Sequence, residues 1–122
     1  MAKVFLDANI FIDLIEKRRE VQISDLDRHL AYISPLSIHI LLYITKKKVP
    51  YFRLSRISKQ FSLIPLDQDM AKLCLEGPTS DFEDNVQLYS AAEAECDFFL
   101  TEDKKLLSLK FFGKTRIVSE LK

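Results

Sequence analysis

Glycine, cysteine and tryptophan are scarce in this chain of 122 residues, which has two Gly, two Cys and no Trp. Two glycines are too few to build the glycine-rich loop that cradles nucleotide phosphates, so the sequence disfavours that class of nucleotide-binding enzyme. Cys74 and Cys96 form no Cys-X-X-Cys pair, and no histidine stands at zinc-ligand spacing from them. We therefore expect both thiols to be small buried hydrophobic groups rather than metal ligands.

Long apolar runs are also missing from the chain. No run approaches the ~20 residues that are needed to cross a bilayer. The start, Met1-Ala2-Lys3, leads into only three apolar residues before Asp7, which is unlike a signal peptide. We therefore expect a cytoplasmic protein that does not enter a membrane. Because 48 % of the residues are hydrophobic and 30 % are charged, the chain is globular, and its length predicts one domain over residues 1–122.

Acidic residues are absent from one long stretch and concentrated in the next, although the formal net charge is zero. Residues 28–66 contain seven Lys or Arg and no Asp or Glu, whereas residues 67–103 contain eleven acids and one base, Lys72. Such segregation causes self-repulsion unless the two zones face one another or bind partners. A basic surface beside an acidic pocket would suit a metal-dependent enzyme that acts on a polyanion.

Short apolar runs alternate with segments of helical periodicity along the chain. Alternating strands and helices predict a mainly parallel sheet that is covered on both faces. The predicted fold class is therefore α/β, with three α/β/α layers and a central sheet of four to five strands. The predicted strands cover residues 4–6, 31–34, 62–66, 98–101 and 115–118, and the last is expected at an edge of the sheet.

Helices are predicted where apolar residues recur at helical spacing behind a capping residue. Asn9, Ser24 and Asp67 are predicted N-caps, and Pro35 suits the first turn of a helix. Ser80 is predicted to form a capping box with Glu83. The predicted helices cover residues 10–19, 24–30, 35–45, 51–60, 68–76, 81–94 and a short segment from about residue 103.

Four aspartates stand where strands end or helices begin. Asp7 directly follows the first strand, and Asp103 follows the strand over residues 98–101. Asp81 and Asp84 lie three residues apart in the first turn of a helix, so both can lie on one face. Because the carboxyl ends of parallel strands share one edge with the helix N-termini, we expect these carboxylates to meet in one crevice.

Carboxylates that lie this close repel one another unless a cation lies among them. A set of oxygen ligands without Cys or His favours Mg²⁺ or Mn²⁺ over zinc. Such an ion can activate water and neutralise the charge that develops on a phosphodiester. Simpler interpretations remain open: Asp81 can complement only the helix dipole, Asp103 can serve only as an N-cap, and Asp7 can be a turn residue.

The helix predicted over residues 51–60 places Arg53, Arg56 and Lys59 along one face, with Tyr51 and Phe52 at its start. Cations that contact phosphates and aromatic rings that stack on bases are suited to single-stranded RNA. The alternative is a solvated basic face whose aromatic residues belong to the core. The absence of acids from residues 28–66 favours a polyanionic partner.

Three blocks resemble, in sequence, order and separation, the signature blocks of PIN domains: residues 4–9 (VFLDAN), 81–87 (DFEDNVQ) and 100–103 (LTED). PIN domains are metal-dependent ribonucleases, and the small single-domain bacterial and archaeal ones are often VapC-type toxins held by a cognate antitoxin. The resemblance therefore implies an α/β/α fold, cleavage of RNA phosphodiesters, Mg²⁺ or Mn²⁺ as cofactor, and an antitoxin as partner.

Residue roles follow from the same resemblance. Asp7, Asp84 and Asp103 match the catalytic, metal-binding acids of the family. Asp81 matches an extra acid of the subgroup with a D-F-E-D helix start, which adds a fourth candidate metal ligand. Two polar residues, Asn9 and Thr101, match positions that support the site through hydrogen bonds.

Small PIN domains commonly form homodimers, and the resemblance implies the same for this chain. The apolar helices around Ile12, Ile15, Leu41 and Leu42 could supply such an interface, and each of these residues could equally belong to the core. The sequence by itself does not choose between the two.

One position departs from the PIN pattern. Within residues 33–43 the family usually has a glutamate where this chain has Ile40, and an isoleucine side chain cannot bind a metal. His39 points about 100° away around the helix, so we do not expect it to substitute. Leu106 and Leu107 also stand where many relatives carry Asp-Phe.

Three classes of function follow. The first is a Mg²⁺- or Mn²⁺-dependent endoribonuclease. The second, which the isoleucine at position 40 favours, is a catalytically weak or inactive PIN-like module that binds RNA or protein. The third is a receiver-like phospho-acceptor domain that uses Asp7, and it is disfavoured because the paired acids expected after the first strand are absent.

Overall fold

The fold is built on one six-stranded sheet. A computed structural model describes residues 1–16 and 26–121. Its strands are β1 (Ala2–Leu6), β2 (His29–Ile33), β3 (Phe61–Leu63), β4 (Phe98–Leu100), β5 (Phe111–Phe112) and β6 (Thr115–Val118). The order across the sheet is β3-β2-β1-β4-β6-β5, and every pairing is parallel except that of β5 with β6.

Helices connect these strands. They are α1 (Ala8–Glu16), α2 (Pro35–Thr45), α3 (Phe52–Ile57), α4 (Gln68–Cys74), α5 (Phe82–Glu93) and α6 (Lys104–Leu107), with a short 3₁₀ turn at Ser58–Gln60. A mainly parallel sheet flanked by helices confirms the predicted α/β class, and the arrangement is compatible with three α/β/α layers. Within the described residues, no helix is long and apolar enough to span a membrane.

The central strand β1 is buried on both faces of the sheet. Successive side chains of a strand point to opposite faces, so Val4 and Leu6 join one apolar cluster and Phe5 joins another. The first cluster contains the apolar residues of α1, and the second contains residues of α5 and α6. The continuous apolar run of β1 therefore reflects helices packed against both faces of the sheet.

The apolar residues suggested for a dimer interface lie mainly in the core. Ile12, Ile15 and Leu41 are fully buried in the first cluster, and Leu42 is half-buried against it. Their burial within one chain removes the first three from any contact surface. Cys74 and Cys96 are free and buried, which confirms the expected burial of both thiols.

The sheet has six strands, whereas four to five were predicted. The short strand β5, which was not predicted, pairs with β6 and forms the edge, so the prediction that residues 115–118 form an edge strand is wrong. Gly113, with φ +62°, lies in the tight turn between these two strands, where a left-handed conformation favours glycine. Strand β3 ends at Leu63, three residues earlier than predicted.

Several predicted helix limits also differ. His29 and Leu30 belong to β2 and not to the helix predicted over residues 24–30, while its predicted cap, Ser24, lies outside the described residues. Residues 17–19, predicted to end the first helix, also lie outside them. The helix predicted over residues 51–60 is divided into α3 and the 3₁₀ turn.

Two predicted capping residues do not cap their helices, whereas a third is confirmed. Helix α1 already begins at Ala8, so Asn9 lies within its first turn and is not its N-cap. Asp81, not Ser80, caps α5 by accepting a hydrogen bond from the backbone N of Asp84. Asp67 caps α4 as predicted.

Candidate functional site

Asp7 lies at the carboxyl end of the central strand, where α/β sheets bind their ligands. Its backbone N donates to Leu100 O at 3.0 Å, which continues the pairing of β1 with β4. Its side chain is only 5 % exposed, and Oδ2 accepts a hydrogen bond from Thr101 Oγ1 at 2.6 Å. A carboxylate this buried depends on such donors, because burial without a partner is costly.

Thr101 connects Asp7 with Asp103. Its Oγ1 donates to Asp7 and accepts from the backbone N of Asp103 at 3.0 Å. Its own backbone N donates to Val118 O, so the residue is fixed between β4 and β6. Asp103 is half-buried and caps α6, since its Oδ1 accepts from Lys105 N at 2.8 Å. The predicted supporting residue therefore lies between two of the predicted site acids.

Asp81 and Asp84 are placed by the start of α5. Asp81 is exposed and Asp84 is half-buried, and the capping bond from Asp84 N to Asp81 Oδ1 measures 3.0 Å. Asn85 fixes this start, because Oδ1 accepts from Thr79 Oγ1 at 2.6 Å and Nδ2 donates to Cys74 O at 2.9 Å. Asp81 therefore takes the helix-capping role that was predicted for Ser80.

The acids of this edge influence one another electrostatically. The pKa of Asp84 is raised to about 7, and burial is the largest cause. The negative charges of its neighbours add to this rise: Asp81, Asp7, Asp103 and Glu83. Burial also raises the pKa of Asp7, with a smaller contribution from Asp103, although the hydrogen bond from Thr101 and the nearby polar groups of Gln87 and Ala8 oppose it. The hydrogen bond from Ala8 N to Gln87 Oε1 places α5 beside the end of β1, so the start of α5, with Asp81 and Asp84, lies at the same edge of the sheet as Asp7 and Asp103.

Glu83 belongs to the same acidic edge. Burial raises the pKa of Glu83, and Asp81 and Asp7 add to the effect. The sequence treated this residue only as a partner in a capping box. We use the name acidic edge for the five residues Asp7, Asp81, Glu83, Asp84 and Asp103.

Gln87 is a site residue that sequence reasoning missed. It is fully buried, and its Oε1 accepts a hydrogen bond from Ala8 N at 2.6 Å. Its side chain also holds down the pKa of Asp7. Its Nε2 makes no hydrogen bond of good geometry within the described residues. Its spacing could have identified it, because a residue three positions after Asp84 lies on the same face of a helix.

The donor chemistry of the acidic edge suits a hard divalent cation, since every candidate ligand atom is oxygen. In residues 1–16 and 26–121, however, no three His, Cys, Asp or Glu side chains are grouped so that they could hold a metal ion. Several carboxylate oxygens accept hydrogen bonds instead, such as Oδ1 of Asp81 and Asp103 and Oδ2 of Asp7. The acids converge without forming a closed metal site.

The position where PIN domains usually have a glutamate, Ile40, supplies no ligand to the acidic edge, and His39 beside it has no carboxylate. Ile40 is half-buried and packs against the first apolar cluster. His39 is exposed, and its ring lies 6.4 Å from that of Tyr43, measured between centroids. Leu106 is buried in the second cluster, so it has a packing role. Asn9 is exposed in the first turn of α1.

The predicted RNA-binding helix does not lie beside the acidic edge. Arg53 Nη2 donates to Ile15 O at 2.6 Å, near the end of α1, whereas Asp7 immediately precedes the start of that helix. At 1.5 Å per residue, the eight residues from Asp7 to Ile15 correspond to about 12 Å. Arg56 and Lys59 are exposed. The expected basic surface and the acidic pocket therefore lie at opposite ends of α1.

Comparisons of the chain with protein-family models, with curated proteins and with solved structures gave no match. The resemblance to PIN domains therefore remains a prediction from three sequence blocks. Any function has to be argued from the residues described above.

Proposed function

We propose that this chain is a PIN-like ribonuclease that cleaves RNA phosphodiesters with Mg²⁺ or Mn²⁺. The observation that carries the proposal is the arrangement of the acidic edge, in which Thr101 Oγ1 links Asp7 Oδ2 to the backbone N of Asp103 and repulsion from neighbouring carboxylates helps to raise the pKa of Asp84 to about 7. Such repulsion is relieved when a cation lies among the acids. Asp7, Asp84 and Asp103 would hold the ion, with Asp81 as an additional ligand.

The protein's own residues would orient these ligands. Thr101 holds Asp7 Oδ2 and the backbone of Asp103, so one hydroxyl fixes two acids relative to each other. Gln87 holds the backbone N of Ala8, directly after Asp7. Replacing residues that orient metal ligands commonly lowers metal affinity or activity by about 10- to 100-fold. When bound, the ion would polarise the scissile phosphate and supply activated water.

A second function is favoured by a different observation. Ile40 packs against the apolar cluster where the family has an acidic ligand, and no three acids of the described residues form a metal group. Both features fit a PIN-like module that binds RNA or protein with weak or no catalysis. Removal of the metal should abolish RNA cleavage by the nuclease, whereas it should leave RNA binding by the module unchanged.

A cleavage assay separates the two. Purified protein is incubated with structured and unstructured RNA in Mn²⁺, Mg²⁺ or EDTA, alongside Asp7→Asn and Asp84→Asn. We expect metal-dependent cleavage that falls by about 100-fold or more in both variants. Asp69→Asn is the matched control, because Asp69 is an exposed acid in the first turn of another helix, α4.

Two results would contradict the nuclease. One is the absence of cleavage in Mn²⁺, and the other is cleavage that persists in both site variants. RNA binding that survives EDTA without any cleavage would instead support the binding module.

The proposal also includes partners that the resemblance implies, namely a homodimer and an antitoxin, and a cytoplasmic location. The molar mass in solution, measured by light scattering, tests the dimer. A short neighbouring gene for a DNA-binding protein, whose product co-purifies with this chain and inhibits cleavage, would support the toxin assignment. A monomer that has no such neighbour would argue for an isolated enzyme.

A further inference from the structure

Large hydrophobic side chains are exposed where α2 ends and α3 begins. Tyr43 is 77 % exposed, Val49 79 % and Phe52 68 %. Helix α2 is apolar almost all round, with the sequence PLSIHILLYIT, and such helices are usually covered on every side. Here the apolar cluster covers one side of α2 and leaves Tyr43 in solvent. Exposed hydrophobic residues that adjoin one another mark interaction sites.

Three lysines line the same surface depression as Tyr43. Lys46, Lys47 and Lys48 follow α2 directly, and all three are exposed. Lys47 Nζ lies 5.6 Å from the centroid of the Tyr51 ring, so the loop after α2 lies against the start of α3. We use the name lysine-aromatic surface for Tyr43, Lys46, Lys47, Lys48, Phe52 and Arg56.

Helix α3 adds one exposed aromatic residue and one exposed cation directly after Tyr51, the residue that Lys47 contacts. Phe52 and Arg56 are four residues apart, which places them on one face of the helix, and both are exposed. Arg53, by contrast, is half-buried and donates to Ile15 O at the end of α1. This hydrogen bond occupies Arg53, so the exposed cation of α3 near Phe52 is Arg56.

Negative charge is absent from the stretch of sequence that carries this surface. Residues 28–66 contain no Asp or Glu. Glu16, an acid that contacts this region, accepts a hydrogen bond from Tyr51 Oη at 3.1 Å. The surface therefore presents four cations, Lys46, Lys47, Lys48 and Arg56, beside two exposed rings.

We infer that the lysine-aromatic surface binds single-stranded nucleic acid, with its lysines and Arg56 on the phosphates and with Tyr43 and Phe52 stacked on bases. Grooves that combine backbone-tracking cations with exposed aromatic rings bind single strands in this way. The exposed rings favour nucleic acid over an acidic amphipathic peptide, because Tyr43 and Phe52 can stack on bases. The peptide remains an outcome of the test.

The inference goes beyond the proposed nuclease, because it needs neither a metal nor the acidic edge. The surface lies at the far end of α1 from Asp7. Binding should therefore survive EDTA and the Asp84→Asn substitution. Loss of cleavage with retained binding would count against the nuclease alone, and retained cleavage with no binding here would count against this inference alone.

The test measures anisotropy of a fluorescent RNA of about 12 nucleotides, in EDTA, at several salt concentrations. For the wild type we expect the logarithm of affinity to fall with the logarithm of salt at a slope of about −0.7 per phosphate contact. Lys48→Ala combined with Arg56→Ala should weaken binding by about tenfold and make that slope shallower by about 1.4. The matched control is Lys72→Ala combined with Lys114→Ala, which removes the same charge from exposed positions elsewhere.

Phe52→Leu distinguishes stacking from apolar docking. Leucine keeps a large apolar side chain but lacks the aromatic face, so RNA affinity should fall by about fivefold or more. Tyr43→Phe keeps its ring and should bind as the wild type does. Both positions are exposed, so circular dichroism should confirm unchanged folding.

Three results would overturn the inference. The first is no measurable RNA binding by the wild type at low salt. The second is an equal loss in the control pair, which would indicate diffuse charge without a surface. The third is an acidic, leucine-containing peptide that binds more tightly than RNA and tolerates Phe52→Leu.

Discussion

The two ends of α1 carry opposite charges and are built in different ways. At its start, the carboxylates of the acidic edge are held by hydrogen bonds from the protein, such as Thr101 Oγ1 to Asp7 Oδ2 at 2.6 Å. At its end, Tyr43, Phe52 and the lysines project into solvent. The two regions differ in preorganisation. Catalysis needs metal ligands in fixed positions, whereas cations that contact a flexible polyanion can remain mobile.

The comparison also explains why the segregated charge does not form one pocket. Arg53, which the sequence placed on the RNA-binding face, stabilises the end of α1 instead. An RNA that contacted both regions would have to cover the length of α1, about 12 Å from Asp7 to Ile15. The acidic edge and the lysine-aromatic surface are therefore independent units that separate variants can test.

Thr101→Val should have the largest effect on stability. Valine keeps the shape but removes the hydroxyl that donates to the buried Asp7 and accepts from Asp103 N. Loss of a hydrogen bond to a buried acid should lower the free energy of unfolding by about 2 to 3 kcal/mol. Urea unfolding measures this change.

Thr115→Val is the matched control for that variant. Thr115 is also buried, and its Oγ1 donates to Cys96 O at 2.8 Å, so its replacement removes a neutral hydrogen bond. We expect a loss of about 1 kcal/mol and no change in Mn²⁺ affinity. If both variants lost the same stability and neither changed metal affinity, Thr101 would be an ordinary core threonine.

Asp84→Asn should stabilise the metal-free protein at pH 8. The pKa of Asp84 is about 7 in the folded state, above its ordinary value of 3.8, so the folded state binds the proton more tightly than the unfolded state. Stability therefore falls as pH rises between about 4 and 7, and asparagine removes this loss. The gain at pH 8 should be about 2 kcal/mol, half of what the full shift implies, because the side chain is partly exposed to water.

The pH dependence provides the check on that prediction. The difference between Asp84→Asn and the wild type, measured by urea unfolding without metal, should disappear below about pH 4. A gain that is the same at pH 4 and pH 8 would mean that the charge of Asp84 is not its cause.

Removing the cations of the lysine-aromatic surface should have the smallest effect on stability. Lys48 and Arg56 are exposed, so Lys48→Ala with Arg56→Ala should change the free energy of unfolding by no more than about 0.5 kcal/mol. The same pair should weaken RNA binding about tenfold. A large loss of stability would show that Lys48 or Arg56 makes stabilising contacts within the protein, as the residues of the acidic edge do.

Much of the sheet could be predicted from the sequence because β1, β2 and β4 are apolar runs bounded by polar residues. Strand β5 was missed because Phe111–Phe112 is only two residues long. Gly113 between two short apolar runs is the hairpin signal that could have revealed it. The limits of β3 and α3 were wrong because residue pattern fixes element ends poorly.

The positions of the four aspartates at strand ends and helix starts could be predicted from the sequence. Two features could not. The separation of the basic helix from the acidic edge depends on the contact from Arg53 to Ile15, which are 38 residues apart in sequence. The choice of Asp81 over Ser80 as the cap depends on the local bonds between Thr79 and Asn85, since both residue types are good N-caps.

The central claim is that the acidic edge binds a divalent cation, and Mn²⁺ titration followed by unfolding tests it most directly. A ligand that binds only the folded state stabilises it by about 2.7 kcal/mol at 100 times its dissociation constant. We predict a saturable gain of this size for the wild type and for Asp69→Asn, and little or none for Asp7→Asn. An equal response of all three proteins, or no response of the wild type, would contradict the account.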